Sequence, residues 1–170
     1  MKIIEGLKLA KELLVKAEDL RKKIASNSAL LNIETPAYKD QRAQVASWLQ
    51  AHEDVLKEIL ALRARIARTN IATPVTLQLG TAQVTRSITE WIIRRKELAP
   101  LDQVAWVGLT DRGLKEQNLK TTNEGPITEV RIVRFFDSAE RDARVALYQS
   151  EPGLIDRTLE VVNATTDLLP

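Results

Sequence analysis

Acyl-transfer and hydrolytic chemistry asks for a nucleophile, a base to activate it and a group that orients the base. This chain holds one imidazole, His52, and no cysteine. His52 falls between Trp48 and Val55 on an apolar stripe, where a packed, hydrogen-bonded histidine is expected and a general base is not. No Gly-x-Ser-x-Gly elbow occurs, and the six glycines are too dispersed to form a phosphate-cradling loop. One histidine without thiolates does not make a zinc site of the usual kind. Glu53 and Asp54 are adjacent, so they occupy different parts of a helix surface and read as solvated charges. These residues predict a protein that is not an enzyme, with no cofactor and no metal.

Two arginine-rich stretches could still bind something. The first, Leu62 to Asn70 (LRARIARTN), contains Arg63, Arg65 and Arg68. At about 100° per residue, Arg65 and Arg68 lie about 60° apart and Arg63 sits away from both. Three cations that do not share a face make a poor phosphate clamp. No acid occurs between Glu58 and Glu90, so this end of a helix is locally positive. The expected role is to complement the helix C-terminus, with Thr69-Asn70 as the stop, or to meet another protein. The second stretch is Arg94-Arg95-Lys96, one turn after Trp91. Aromatic rings beside cations are what single-strand binders use. Glu90 and Glu97 flank the run, however, and pairing along the helix makes it a solvated face. Arg63, Arg65, Arg68, Arg94, Arg95 and Lys96 are therefore candidate contacts to a protein partner. The net charge of +2, with acids interspersed through most of the chain, argues against a nucleic-acid partner.

The elements that carry these residues are legible from periodicity. A chain of 170 residues with 44% hydrophobic and 28% charged residues is a globular protein able to bury a core. Aromatics reach only 4%, so Leu, Ile, Val and Ala must build that core, which favours helices packing on helices. Ile3, Leu7, Ala10, Leu14, Ala17 and Ile24 recur at helical spacing over about 2–26, with Leu13 and Leu20 beside them. Thr35-Pro36 reads as a cap and first turn, and Val45, Trp48, His52, Val55, Ile59, Leu62 and Ile66 then form one stripe over 36–68. Two long helices with a short connection make an antiparallel hairpin. Val75, Leu77 and Leu79 alternate like a strand ahead of Gly80. Helical spacing returns through Ile88, Trp91 and Ile92, with Pro100 as a stop or kink, and a further helical stretch runs to Gly113. A turn at Asn123–Pro126 precedes ITEVRIVRFF, the best strand pattern in the chain. It is expected to pair with Gln117–Thr122 or Val75–Leu79. Asp137 and Glu140 form a capping-box pattern for a last helical region that Pro152-Gly153 interrupts. The fold class expected is mainly α: a long antiparallel helical hairpin (2–68), a mixed β and helical part (74–136) and C-terminal helices (137–168), in a single domain 1–170.

The order of RIARTN, a short β-like stretch, SITEWIIRRKEL and LIDRTLEVVNATTDL resembles the septicolysin-like family of small, mostly helical bacterial proteins. Arg68-Thr69-Asn70 after a long helix, and Asp156 with Asn163, carry the resemblance, which spans nearly the whole chain. Two positions depart from it: Ala164 stands where the family has tryptophan after that asparagine, and Lys96 where an acid follows Arg95. The resemblance implies a mostly helical, oligomer-forming fold. Its toxin-like label implies a membrane-active or ligand-binding protein as the alternative to a structural one.

The N-terminal segment carries Glu5 and Glu12 through its apolar region, unlike a signal peptide. No run approaches the ~20 apolar residues of a membrane span. A chain without cysteine fits a reducing compartment, so the cytoplasm or the inside of a virus particle is expected. The function expected is a non-enzymatic structural or assembly protein that forms homo-oligomers, such as a subunit of a viral or phage particle, with itself and other proteins of the assembly as partners.

Overall fold

A computed structural model of the chain describes residues 1–120 and 127–170. They divide into two compact units, one of Met1–Val75, Ser87–Thr89 and Leu159–Pro170, the other of Thr76–Arg86 and Glu90–Thr158. The fold is mainly α.

The first unit is built on helix α1, Ile3–Asn27, and helix α2, Gln41–Ala72, packed as an antiparallel hairpin. Their buried residues are Ile3, Gly6, Ala10, Leu13, Ala17 and Leu20 on α1, and Val55, Ile59, Leu62, Ile66 and Thr69 on α2. The spacing alternates three and four, the a/d rhythm of a coiled-coil seam. On α2 this is the stripe expected from sequence. On α1 it is not: Leu13 and Leu20 enter the seam, while Leu7 and Leu14 stay 41% and 43% exposed. Leucines stand on two adjacent stripes of α1, and helical period alone cannot say which one meets the partner helix.

Both ends of α2 differ from expectation. The cap is Asp40, whose Oδ1 accepts from the Ala43 N–H at 2.9 Å, and not Thr35. A carboxylate satisfies an orphan amide and complements the positive end of the helix dipole as well. At the other end the helix runs past Thr69-Asn70 to Ala72. Thr69 is a seam residue, 1% exposed, whose hydroxyl donates to Arg65 O at 2.8 Å and accepts from the Leu169 N–H at 3.0 Å. The stop is Pro74, which disfavours helical geometry at Thr73 (ψ 109°). The C-terminal segment is tied down further where Asp167 bridges Lys2 and Leu168 packs on Gly6. Thr69→Val keeps the shape but orphans the Leu169 amide, so it should cost about 1–2 kcal/mol. Hydrogen exchange should show Leu169 losing protection first; unchanged exchange there would mean the hydroxyl holds nothing.

Strand β1 (Pro74–Leu79) turns at Gly80 (φ +60°) into β2 (Ala82–Ser87), giving a hairpin with a two-residue loop whose residues 76–86 belong to the second unit. Thr76 and Thr85 join their hydroxyls across it at 2.7 Å. Helix α3 (Ile88–Ile93) leads into a π-helical segment, Arg94–Leu98, and then α4, Ala99–Val107. Pro100 therefore neither stops nor breaks this helical path. The Ala99 N–H bonds Arg94 O five residues back, and Pro100 falls in the first turn of α4, where its missing N–H is tolerated. α4 ends at Gly108, five residues before Gly113; the chain then turns through Arg112 and Gly113, both at positive φ.

Strands β3 (Gln117–Lys120) and β4 (Ile127–Val130) pair antiparallel, with Gln117 opposite Val130. This is the first of the two pairings expected, but the strand is shorter than ITEVRIVRFF. It stops at Val130, where β3 has no further residue to offer, and the Ile132 N–H turns to the Glu116 carboxylate at 3.3 Å. The expected turn at Asn123–Pro126 lies outside the described residues. Helix α5 runs unbroken from Ser138 to Thr165, contributing residues to both units. Asp137 caps it, accepting from the Ala139 and Glu140 amides at 2.7 and 2.9 Å. Pro152-Gly153 does not interrupt it. Glu151 and Ile155, flanking the pair, are 1% and 0% exposed, and their burial outweighs the local cost of the proline. Among the described residues no helix is long and apolar enough to cross a membrane.

Candidate functional site

The arginine run Arg94-Arg95-Lys96 occupies the π-helical segment, where the wider turn re-aims the side chains. Arg94 grips Glu151 of α5 with two parallel bonds, Nε to Oε1 at 2.7 Å and Nη2 to Oε2 at 2.9 Å, and donates from Nη1 to Asp102 of α4. Its guanidinium lies 5.4 Å from the ring centre of Tyr148, one turn before Glu151. The side chain of Arg94 is 13% exposed and that of Glu151 only 1%. The hydrogen bond to Glu151 raises the Arg94 pKa well above its ordinary value against the opposing effect of burial, so the cation is permanent. Arg95 reaches Asp156, one turn further along α5. The expected solvated face is thus overturned for Arg94 and Arg95: both pair across to another helix. Lys96 is exposed. Trp91 is fully buried and offers no face to a stacked base.

Sequence reasoning missed Glu151, Asp102 and Tyr148 as the surroundings of Arg94. A signal was present: Glu151, Ile155 and Leu159 recur four apart, which puts a carboxylate on an apolar stripe. Such an acid needs a cation. Arg94 spends its donors on two carboxylates, leaving a neutralised knot that clamps α5 to the π-helical segment and α4. Chemically it is a fastener.

The three arginines of α2 diverge, as their spacing predicted. Arg65 donates from Nε to Leu169 O at 3.0 Å, holding the C-terminal segment. Arg68 is exposed and makes no ion pair among the described residues. Because α2 continues to Ala72, Arg68 lies outside the last turn, where the helix dipole acts most strongly. Arg68→Ala should therefore change stability by less than about 0.5 kcal/mol. A larger drop in melting temperature would reveal a contact that the exposed position does not show.

Arg63 belongs to a different place. With Leu7, Ala10, Lys11, Leu14, Ile66, Ala67 and Asn70 it lines a groove of about 440 Å³ between α1 and α2. The Oδ1 of Asn70 is buried there without a hydrogen-bond donor. Ile4, Leu56 and Leu60 are 45%, 47% and 71% exposed. His52 stands at a seam position, three residues before buried Val55, but it is only half-buried and makes no side-chain hydrogen bond among the described residues, so the packed, hydrogen-bonded setting expected of it is met in position only.

A second cleft, about 370 Å³, lies in the other unit beside Arg134, which grips Asp111 with two bonds of 2.6 Å. The bond from Arg134 lowers the Asp111 pKa, fixing it as an anion. Both charges are consumed by each other, and Phe135 beside them is 97% exposed. Among the described residues no cluster of three or more His, Asp or Glu side chains is placed to hold a metal.

No family model and no curated protein matches the chain. Its backbone is similar to the crystal structure of a functionally unknown conserved protein from Corynebacterium diphtheriae, with a TM-score of 0.58 and 18% identity over 99% of each chain. That likeness is one of fold. It spans both chains almost entirely and carries nothing about activity.

Proposed function

We propose that this chain is a non-enzymatic structural or assembly protein that works as a homo-oligomer, a subunit of a larger particle such as a virus or phage. The observation that supports it is the flank of the helical hairpin, where Ile4, Leu7, Leu14, Leu49, Leu56 and Leu60 stay between 41% and 71% exposed. Scattered surface leucines need no explanation, but a run of them along one flank of two paired helices marks a protein contact. The cations gathered from sequence fit a structural role as well: Arg94 and Arg95 are bound to carboxylates of their own unit, and Arg65 to its own backbone. A chain with one half-buried histidine and no thiol supplies little for catalysis.

The test is native mass. Light scattering and native mass spectrometry should give a multiple of the 19.1 kDa chain at micromolar concentration. A monomer under those conditions, with no protein co-purifying from its natural source, overturns the reading. The resemblance to septicolysin-like proteins supplies the rival, a membrane-active or ligand-binding protein. It predicts dye release from lipid vesicles, which a structural subunit should not cause.

A further inference from the structure

The hairpin's two flanks differ, and the difference says what covers the apolar one. Starting the heptad at Ile3 on α1 and Ile59 on α2 places all the buried seam residues at a and d. In an antiparallel pair the e positions of both helices share one side and the g positions the other. The e side, with its neighbouring b positions, carries Ile4, Leu7, Leu14, Leu49, Leu56 and Leu60. The g side, with its c positions, carries charges such as Glu12, Lys16, Asp19, Glu58 and Arg65. The groove between α1 and α2 is lined only by a, b and e residues, which places that flank on one continuous face.

We infer that this face binds a second copy of the same face, antiparallel, about a twofold axis passing near Leu14, Leu56 and Leu60. The inference rests on the assembly reading above and supplies its contact. Charge is what selects the occupant and the direction. Gly6 lies against Ile66, which fixes the level of one helix against the other. At that register Lys11 and Arg63 form a basic band, and Glu18 and Glu53 an acidic band nearer the hairpin tip, roughly 10 Å away along α1 and roughly 15 Å along α2. Lys11, Arg63 and Glu53 make no ion pair among the described residues, while Glu18 is held by Arg21 of its own helix at 2.6 Å. A twofold axis midway between the bands sets each basic band opposite the acidic band of the second copy. The same rotation brings Leu49 against Ala67 of that copy, with Leu56 and Leu60 meeting near the axis. A parallel arrangement would set like charges together.

Size agrees. α1, of 25 residues, is about 37 Å long, and two helices side by side are about 20 Å wide. That face offers roughly 700 Å² per copy, close to the ~800 Å² per partner of a standard stable interface.

Arg63→Glu puts two carboxylates face to face at each of the symmetry-related contacts, and Glu53→Arg puts two cations there. Each single variant should raise the dimer dissociation constant by roughly tenfold or more. Combining both in one chain should bring it back to near the wild-type value, because in this register position 63 faces position 53. Leu60→Asp, at an exposed position on the axis, should abolish pairing and leave the circular dichroism of the monomer unchanged; it serves where a charge variant fails to fold. If both single variants and Leu60→Asp keep the wild-type mass at every dilution, the contact lies elsewhere, and the inference fails while the assembly reading stands. If the singles dissociate but the double does not recover, the antiparallel register is wrong. A monomeric wild type overturns both.

Discussion

Arg94→Ala should destabilise the protein by about 3–5 kcal/mol, because it strands a carboxylate that has no access to water. The pair it breaks is asymmetric. Asp102 is 45% exposed and can rehydrate when the guanidinium leaves, whereas Glu151 at 1% cannot. Arg94→Lys should recover little, since a single ammonium cannot reproduce the two parallel bonds to Glu151 and the third to Asp102. Arg94→Met combined with Glu151→Leu removes both buried charges together and should restore most of the loss, as buried ion pairs replaced by packed apolar groups often do. Chemical denaturation gives the size of each effect, and hydrogen exchange its place, with protection lost first along α5 from Tyr148 to Asp156. If the alanine variant were as stable as the wild type, Glu151 would have to reach water, and the knot would not be a fastener.

That knot shows where sequence reasoning ran out. The run Arg94-Arg95-Lys96 looks solvated because Glu90 and Glu97 stand at the spacing for pairing along an ordinary helix. The π-helical turn changes the spacing, and nothing in the local residue types announces it; Pro100 downstream was the only cue. Glu151 was hidden for a related reason. Pro152-Gly153 reads as a break, so the acid beside it was not placed on the stripe that Ile155 and Leu159 continue. Once α5 is known to run straight through the proline, the buried acid and its need for a cation follow.

The hairpin was far more legible. Its α2 stripe from Val45 to Ile66 is long and unbroken, whereas Leu49, Leu56 and Leu60 beside it are interspersed with Glu53 and Arg63, so period alone decides the seam. On α1 two leucine stripes compete. Gly6 fits the observed choice: an added Cβ there would stand 2.8 Å from the Leu168 side chain, which would have to move, and in ordinary contact, 3.6 Å, with Ile66. The helix turns Gly6, Leu13 and Leu20 inward and leaves Leu7 and Leu14 outside. Capping and stopping residues were misplaced at both ends of α2 because Thr35-Pro36 and Thr69-Asn70 are locally sufficient signals. Asp40 and Pro74 are stronger ones, by charge and by steric restriction respectively.

Trp91→Ala should also cost about 3–5 kcal/mol, the usual price of emptying a large site in a packed core. Trp91 is 0% exposed, and Arg86 stacks its guanidinium 5.0 Å from the ring centre. Trp91→Phe keeps an aromatic face for that cation and most of the volume, so its loss should be smaller, about 1–2 kcal/mol. Fluorescence identifies the site: Trp48 and Trp106 are only part-buried, so the most blue-shifted component of the emission belongs to Trp91 and should vanish in both variants. The same pair of variants decides between packing and recognition. A tryptophan that stacked single-stranded nucleic acid beside Arg94 and Arg95 would be dispensable for folding, and its loss would remove binding at unchanged stability. A buried one behaves in the opposite way, lowering the denaturation midpoint while leaving the weak, salt-sensitive affinity of exposed cations for polyanions where it was. An unchanged midpoint for Trp91→Ala, together with lost binding to single strands, would give the arginine run the single-strand-binding role that the sequence reading set aside.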